Sequence, residues 1–356
     1  MQTTEKIEQK YAGQSEICSG SLSRPLFVVG VWRSGTSLLY SLLNQHSEIA
    51  LMYEGELVVL KTLFWKPRNK WDWLTKWEFW NAALTRHHLD TNLIPSGAYD
   101  LKTAVKTAYI GYARQTKGAN IWGCKSPNYY NSLPPLARLF PDARFIIIWR
   151  DLRGICDSIL RAAKTSWFFR RKGMILRAIL GYRKLKLDCD RLIAQGVDVY
   201  QLQYEDLVKA PDRAMAGVCA FLQVPFEPKV TSLLDADRSA IENARHHELV
   251  KGNQILASSE VADILPVPLR NKIESYIALW RKQSNNEWPV YPKSLSEAPR
   301  KLSLWVRAGD QLSFAAFRAW DLARTAVYPF CPSWIWGKYR NQKYRRQPLS
   351  RPKYES

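Results

Sequence analysis

The segment Phe27–Leu39, FVVGVWRSGTSLL, constrains the fold more than any other stretch of the chain. An apolar run without polar alternation reaches a glycine, passes through a polar turn with a second glycine at Gly35, and continues into apolar residues at helical spacing, Leu38, Leu39, Leu42 and Leu43. A strand that turns directly into a helix in this way opens a crossover unit, and crossover units build parallel sheets covered on both faces. Further β-like runs occur at Arg144–Trp149 (RFIIIW), at Val199–Tyr204 (VYQLQY) and, more weakly, at Asn120–Cys124 (NIWGC). Ile155, Ile159 and Leu160 supply helical spacing after RFIIIW. The alternation predicts an α/β chain with a central, mostly parallel sheet flanked by helices.

Sheets of this kind bind ligands beyond the carboxyl ends of their strands. The residues expected there are Arg33-Ser34-Gly35-Thr36-Ser37, Lys125-Ser126-Pro127, Arg150-Asp151 and Tyr204-Glu205-Asp206. Three cations, a hydroxyl-rich loop and a tyrosine would then share one edge, which suits an anion. The formal net charge of +20 agrees with an anionic ligand or surface, without choosing among nucleotides, nucleic acid, acidic glycans and lipid headgroups. Six separated cysteines with no CxxC pair, and a polar N-terminus with no apolar h-region, predict reduced thiols in a cytoplasmic protein. No run of about 20 apolar residues is present for a spanning helix.

The expected organisation is a polar leader over 1–23, a main domain over 24–298 and a mainly helical, basic and aromatic C-terminal extension over 299–356. Within the main domain, residues 60–118, which contain LFWKPRNKWDWLTKWEFW, are expected to form a helical insertion or lid on the acceptor side of the crevice. In the extension, Leu312, Ala316, Trp320 and Ala323 fall on one helical face near arginines, a pattern expected both of a helix packed on its own domain and of one in peripheral membrane contact.

The loop has the outline of a Walker A sequence, G-x-x-x-x-G-K-[ST], in which the lysine serves the outer phosphates of a nucleoside triphosphate. Here the lysine position is Thr36, and the positive charge lies inside the loop as Arg33. In this form the loop resembles the 5′-phosphosulfate loop of the sulfotransferases that use 3′-phosphoadenosine 5′-phosphosulfate (PAPS), with its [RK]-S-G-T-[ST] core. A second match follows in WRDLRGICDSILR, where Arg150 ends a strand and Ser158 lies eight residues on, as in the family's 3′-phosphate motif. Tyr204-Glu205 resembles the family's YE pair, whose tyrosine lies beside the nucleotide, and His247 with Gly252-Asn253 loosely resembles a late H-x-x-x-x-G-N segment that closes over the co-substrate.

The resemblance implies a P-loop-like three-layer fold and sulfuryl transfer from PAPS, bound by Arg33, Ser34, Gly35, Thr36, Ser37, Arg150, Ser158, Tyr204, Gly252 and Asn253, with no metal. Lys125, in GCKSP, and Arg33 would stabilise the bridging oxygen as the nucleotide leaves. Cytosolic members carry a histidine two residues after that lysine, where this chain has Pro127, so a histidine base is not expected. The tyrosylprotein branch places a glutamate in a G-E-E stretch after the first helix, which falls on Glu54, with Glu56 two residues on. A partly desolvated carboxylate there could take a proton from a hydroxyl.

The acceptor is expected to be a hydroxyl of a carbohydrate, glycolipid or other lipid-like molecule, with a tyrosine-containing peptide as the alternative. A P-loop kinase is the rival enzyme, and a non-enzymatic binder of anionic surfaces is the rival outside catalysis. Nucleic acid is not the expected partner, because simple anion attraction does not explain cations recurring after successive strands. The histidine pairs 87–88 and 246–247 have no accompanying carboxylate cluster and are not expected to hold metal.

Overall fold

The computed structural model describes residues 24–58, 84–85, 87–89, 101–171, 173–237, 239–242, 255, 265–283 and 304–327. Five strands, β1 (Leu26–Val29), β2 (Ile49–Tyr53), β3 (Ile121–Lys125), β4 (Arg144–Trp149) and β5 (Val199–Gln203), form one parallel sheet in the order β2-β3-β1-β4-β5. The expected α/β architecture is present, with the first strand at the centre. The order reverses at β1, so the crevice for a ligand opens at its carboxyl end. Register puts Val28 opposite Lys125 on one side and opposite Ile146 on the other.

The helices that matter for the site are α1 (Thr36–Leu43), α2 (Leu101–Lys117), α3 (Leu133–Leu139), α4 (Leu152–Thr165), α5 (Met174–Ala194), α6 (Tyr204–Lys209) and α7 (Pro211–Leu222), followed by α8 (Val267–Gln283) and α9 (Leu304–Val327). Alternate strand residues feed two cores. Phe27, Val29, Trp122, Cys124, Phe145, Ile147 and Trp149 pack under α2, α4, α5 and α8, whereas Leu26, Val28, Ile146 and Ile148 pack under α1 and α7. With both faces covered, every residue of β1 to β4 is buried, so these strands read as continuous apolar runs.

Strand β2 was not among the expected elements. IALMY follows α1 after only five residues and has no alternation, so periodicity does not separate it from the apolar helix before it. What separates them is Asn44, whose side-chain amide donates to Leu51 O at 3.1 Å while its oxygen accepts from Leu51 N at 2.9 Å. One side chain thus satisfies both main-chain groups of a wholly buried residue on the sheet's edge. Lys117 donates to the Asn44 and His46 carbonyls, closing the end of α1.

Within the expected 60–118 insertion, α2 packs its Ala104, Val105, Ala108 and Tyr109 face into the core beside β2 and β3, as a layer helix does. The aromatic run of residues 64–80 lies outside the described residues, as do the 1–23 leader, Cys18 and Cys331. Cys124, Cys156, Cys189 and Cys219 are free and buried.

Asn44→Ala should destabilise the protein by about 2–4 kcal/mol, because two buried main-chain groups lose their partner. Urea unfolding would measure this, and a loss near zero would mean that β2 does not depend on the amide clamp.

Candidate active site

The site is built where β1 becomes α1. A Cβ on Gly30 would lie 2.3 Å from Ser34 Oγ and 2.9 Å from Ile148 O, so the chain must leave the strand without a side chain. Gly35, at φ +102°, would bring a Cβ within 2.4 Å of the Tyr204 ring, and it caps α1 in the left-handed region. Arg33 also has positive φ, at 70°. The first turn of α1 has no side-chain cap, so its amides point outward with the positive end of the helix dipole. Ser34 Oγ is fully buried beside this turn without a hydrogen-bond partner. A close backbone approach, uncapped amides and an orphaned hydroxyl fit a phosphate or sulfonate.

On the β4 side, Arg33 Nε donates to Ser158 Oγ at 2.8 Å, and Arg150 Nη1 donates to Arg33 O at 3.0 Å. The Arg150 guanidinium lies over the Tyr204 ring, 4.2 Å from its centroid. Burial, and then the neighbouring Arg150, pull the Arg33 pKa down to about 10, so it remains a cation at neutral pH. Asp151 caps α4 by accepting from Arg153 N at 3.1 Å, while its own N–H donates to Glu205 at 2.9 Å. Burial raises the Glu205 carboxyl pKa. This carboxyl therefore ties the end of β5 to the end of β4 and fixes the start of the helix that carries Ser158.

On the β3 side, the buried Lys125 ammonium donates to Ser37 Oγ at 3.1 Å and to Glu54 Oε1 at 3.3 Å. It sits 4.1 Å from the centre of the Tyr53 ring. Glu54 adopts φ 49° and donates its N–H to Lys125 O at 2.7 Å, which aims its side chain back at the lysine. Among the described residues, four non-glycine residues have positive φ, and two of them are Arg33 and Glu54. Such strain concentrates where a function requires it. Glu54, expected as a partly desolvated carboxylate, is 23% exposed and ion-paired, while Lys125 is 1% exposed.

Arg33, Ser34, Gly35, Thr36, Ser37, Glu54, Lys125, Arg150, Ser158 and Tyr204 therefore meet at the carboxyl edge, in two groups on either side of the start of α1. Gly252, Asn253 and His247 lie outside the described residues. His87 packs edge-on against Tyr112, and the described residues contain no His, Cys, Asp and Glu group able to hold a metal ion.

Sequence reasoning missed Tyr53, whose hydroxyl is 3.1 Å from Ser37 Oγ and whose pKa is raised by burial, so it serves as a neutral partner. It gave no role to Glu56, which accepts from Ser126 Oγ at 3.2 Å and from the Asn128 amide. Asn128 in turn accepts from Trp32 Nε1 at 3.2 Å, linking the loops after β1, β2 and β3. Only the position of both residues next to Glu54, at the end of an unrecognised strand, could have pointed to them.

The profile of the Sulfotransferase family matches residues 25–228, more than half of the 356-residue chain. A putative protein-tyrosine sulfotransferase of Caenorhabditis briggsae is 25% identical over 229 residues, 63% of this chain and 70% of that protein. Protein-tyrosine sulfotransferase 1 of Danio rerio is 26% identical over 205 residues, 58% of this chain and 54% of the relative, so the match spans about half of that protein. Among solved structures, the sulfotransferase domain from the curacin biosynthetic pathway is 21% identical with a TM-score of 0.48, covering 76% of this chain and all of that domain.

Gly35→Ala should cost about 3–4 kcal/mol, combining left-handed strain with the clash against Tyr204. Gly173→Ala, also left-handed (φ +81°) but with nothing within 4 Å of a Cβ, should cost only about 1–2 kcal/mol. Equal losses in urea unfolding would show that Tyr204 does not press on the loop.

Proposed function

Because the chain belongs to the sulfotransferase family, we propose that it moves a sulfuryl group from PAPS to an acceptor hydroxyl, with Glu54 as the base. The observation that carries this reading is the division of the site around the start of α1, with Arg33, Arg150 and Ser158 on one side and Lys125, Ser37 and Glu54 on the other. A donor with a 3′-phosphate and a 5′-phosphosulfate needs cations and hydroxyls for both anionic ends, which the Arg33 side and the loop supply, while the Lys125–Glu54 side is left to meet the acceptor and the leaving oxygen. Arg150 and Ser158 hold the 3′-phosphate. The loop amides, Ser34 and Arg33 hold the phosphosulfate, with Tyr204 beside the nucleotide. Thr36 in the lysine position suits a ligand with no γ-phosphate.

In the reaction the acceptor oxygen bonds to sulfur as the bond from sulfur to the phosphate oxygen breaks, releasing 3′,5′-bisphosphoadenosine. The hydroxyl proton passes to Glu54. Protonating Glu54 removes the negative charge that Lys125 faces at 3.3 Å, so the ammonium becomes available to the departing phosphate oxygen as charge develops there. The ion pair thus couples the two proton-dependent tasks of the reaction.

A tyrosyl hydroxyl is the acceptor to test first, since the curated relatives are named as protein-tyrosine sulfotransferases. Carbohydrate and lipid-like hydroxyls follow it.

3′,5′-Bisphosphoadenosine should stabilise the protein in a thermal-shift titration without Mg²⁺, and Arg150→Ala should weaken that binding by about 10- to 100-fold. Preference for Mg-ATP would overturn the donor assignment. Glu54→Gln should keep bisphosphate affinity and lower transfer by about 10²- to 10⁴-fold. Full activity of Glu54→Gln on a true acceptor would rule out its role as base.

A further inference from the structure

Of the nine large hydrophobic side chains exposed among the described residues, Phe226, Leu234 and Val267 lie on other elements and the remaining six fall on two packed helices and the segment between α4 and α5. Trp167, Leu176, Leu187, Ile193, Leu312 and Trp320 lie on α5, on the turn that leads into it, or on α9, which packs against it. The tryptophans show the same division: Trp32, Trp122, Trp149 and Trp280 are buried, whereas Trp167 and Trp320 are 59% and 70% exposed. Helix α9 is held to the body through Phe314, which lies 4.3 Å from the Arg183 guanidinium, and through Phe317, which packs on the core. Its opposite face carries Leu312, Ala316, Trp320 and Ala323, all exposed.

The segment between α4 and α5, beside this face, carries charge of one sign. The stretch 161–177, RAAKTSWFFRRKGMILR, contains six cations and no carboxylate, and Lys164, Arg170 and Arg171 are exposed. The Arg171 guanidinium lies over the rings of Trp167 and Phe168, at 5.9 and 5.6 Å, so an indole and a cation are presented side by side. We infer that α9, the outer side of α5 and the 164–177 turn form a docking face for an anionic membrane surface. A lipid interface satisfies both halves of the pattern, with phosphate groups for the guanidiniums and acyl chains for the tryptophans and leucines. A nucleic acid or acidic protein would meet the cations and leave the apolar stripe of α9 in water. The contact is interfacial, and no described helix is long and apolar enough to cross a membrane.

The docking face adjoins the site. Phe168 packs edge-on against Trp32 at 5.7 Å, and the Phe169 ring lies 5.9 Å from the Arg33 guanidinium, so the turn that meets lipid also buttresses the loop after β1. Docking would set the mouth of the crevice at the interface, where membrane-borne acceptors are within reach. The face stands on exposure and charge alone and does not depend on the identity of the donor.

Flotation of the full-length protein with phosphatidylcholine vesicles, with and without phosphatidylserine, tests the inference. Binding should require phosphatidylserine and fall as salt is raised. Arg170→Glu with Arg171→Glu should weaken it by at least about tenfold, given roughly fivefold per cation at an anionic surface. Trp167→Ala with Trp320→Ala should also weaken it by about tenfold while leaving the unfolding temperature and bisphosphate affinity unchanged. Binding equal to wild type in both variants would overturn the inference, as would no binding to either vesicle. A concentration-dependent dimer lost in the tryptophan variant, without vesicle binding, would assign the face to a second copy of the chain instead.

Discussion

The site depends on the passage of the central strand into α1 through a turn that neither neighbour allows to widen. Gly30 presses against Ile148 O and Ser34, and Gly35 presses against Tyr204 in a conformation that L side chains rarely adopt. Because β1 sits between β3 and β4, this turn lies between the ends of both strands. Lys125 comes from one neighbour, Arg150 from the other, and Tyr204 from the start of the helix after β5. Moving the turn outward would separate the loop amides from all three.

The two groups of cations are electrically different. Lys125 is already compensated, with Glu54 and Ser37 within hydrogen-bond reach and the Tyr53 ring beneath it. Arg33 and Arg150 lie close enough that Arg150 helps lower the Arg33 pKa to about 10. Two guanidiniums so arranged raise each other's electrostatic cost, which makes this half of the site favourable to anions. The Lys125 half pairs its cation with a carboxylate, so its net charge is small. The exposed basic segment at 164–177 meets this first half through Phe169, whose ring lies 5.9 Å from the Arg33 guanidinium.

Much of this was legible in the chain. Strand β4 coincides with its apolar run, β1 contains the run that opens at Phe27, β5 is one residue shorter than its run, and β3 is shifted from its run by one residue at both ends. Arg150 and Ser158 were paired through resemblance to the family's motif, and they lie at a strand end and on the next helix of one crossover. Strand β2 was not legible, since its edge is secured by the Asn44 side chain, which periodicity does not register. Glu54 was reached only through resemblance to a family, and Tyr53 and Glu56 were not reached as functional groups. Their partners Lys125, Ser37, Ser126 and Asn128 are distant in sequence.

The sequence by itself determined the parallel sheet, the anion loop and the identity of most charged groups, because these rest on periodicity and on contacts within one strand–turn–helix unit. Only the tertiary structure decided which cation faces a carboxylate and which faces another cation. It also decided that Tyr53 supports Lys125 and that Trp167 and Trp320 are exposed. Those outcomes depend on the order of strands in the sheet and on helix-to-helix packing, which join residues that no local pattern connects.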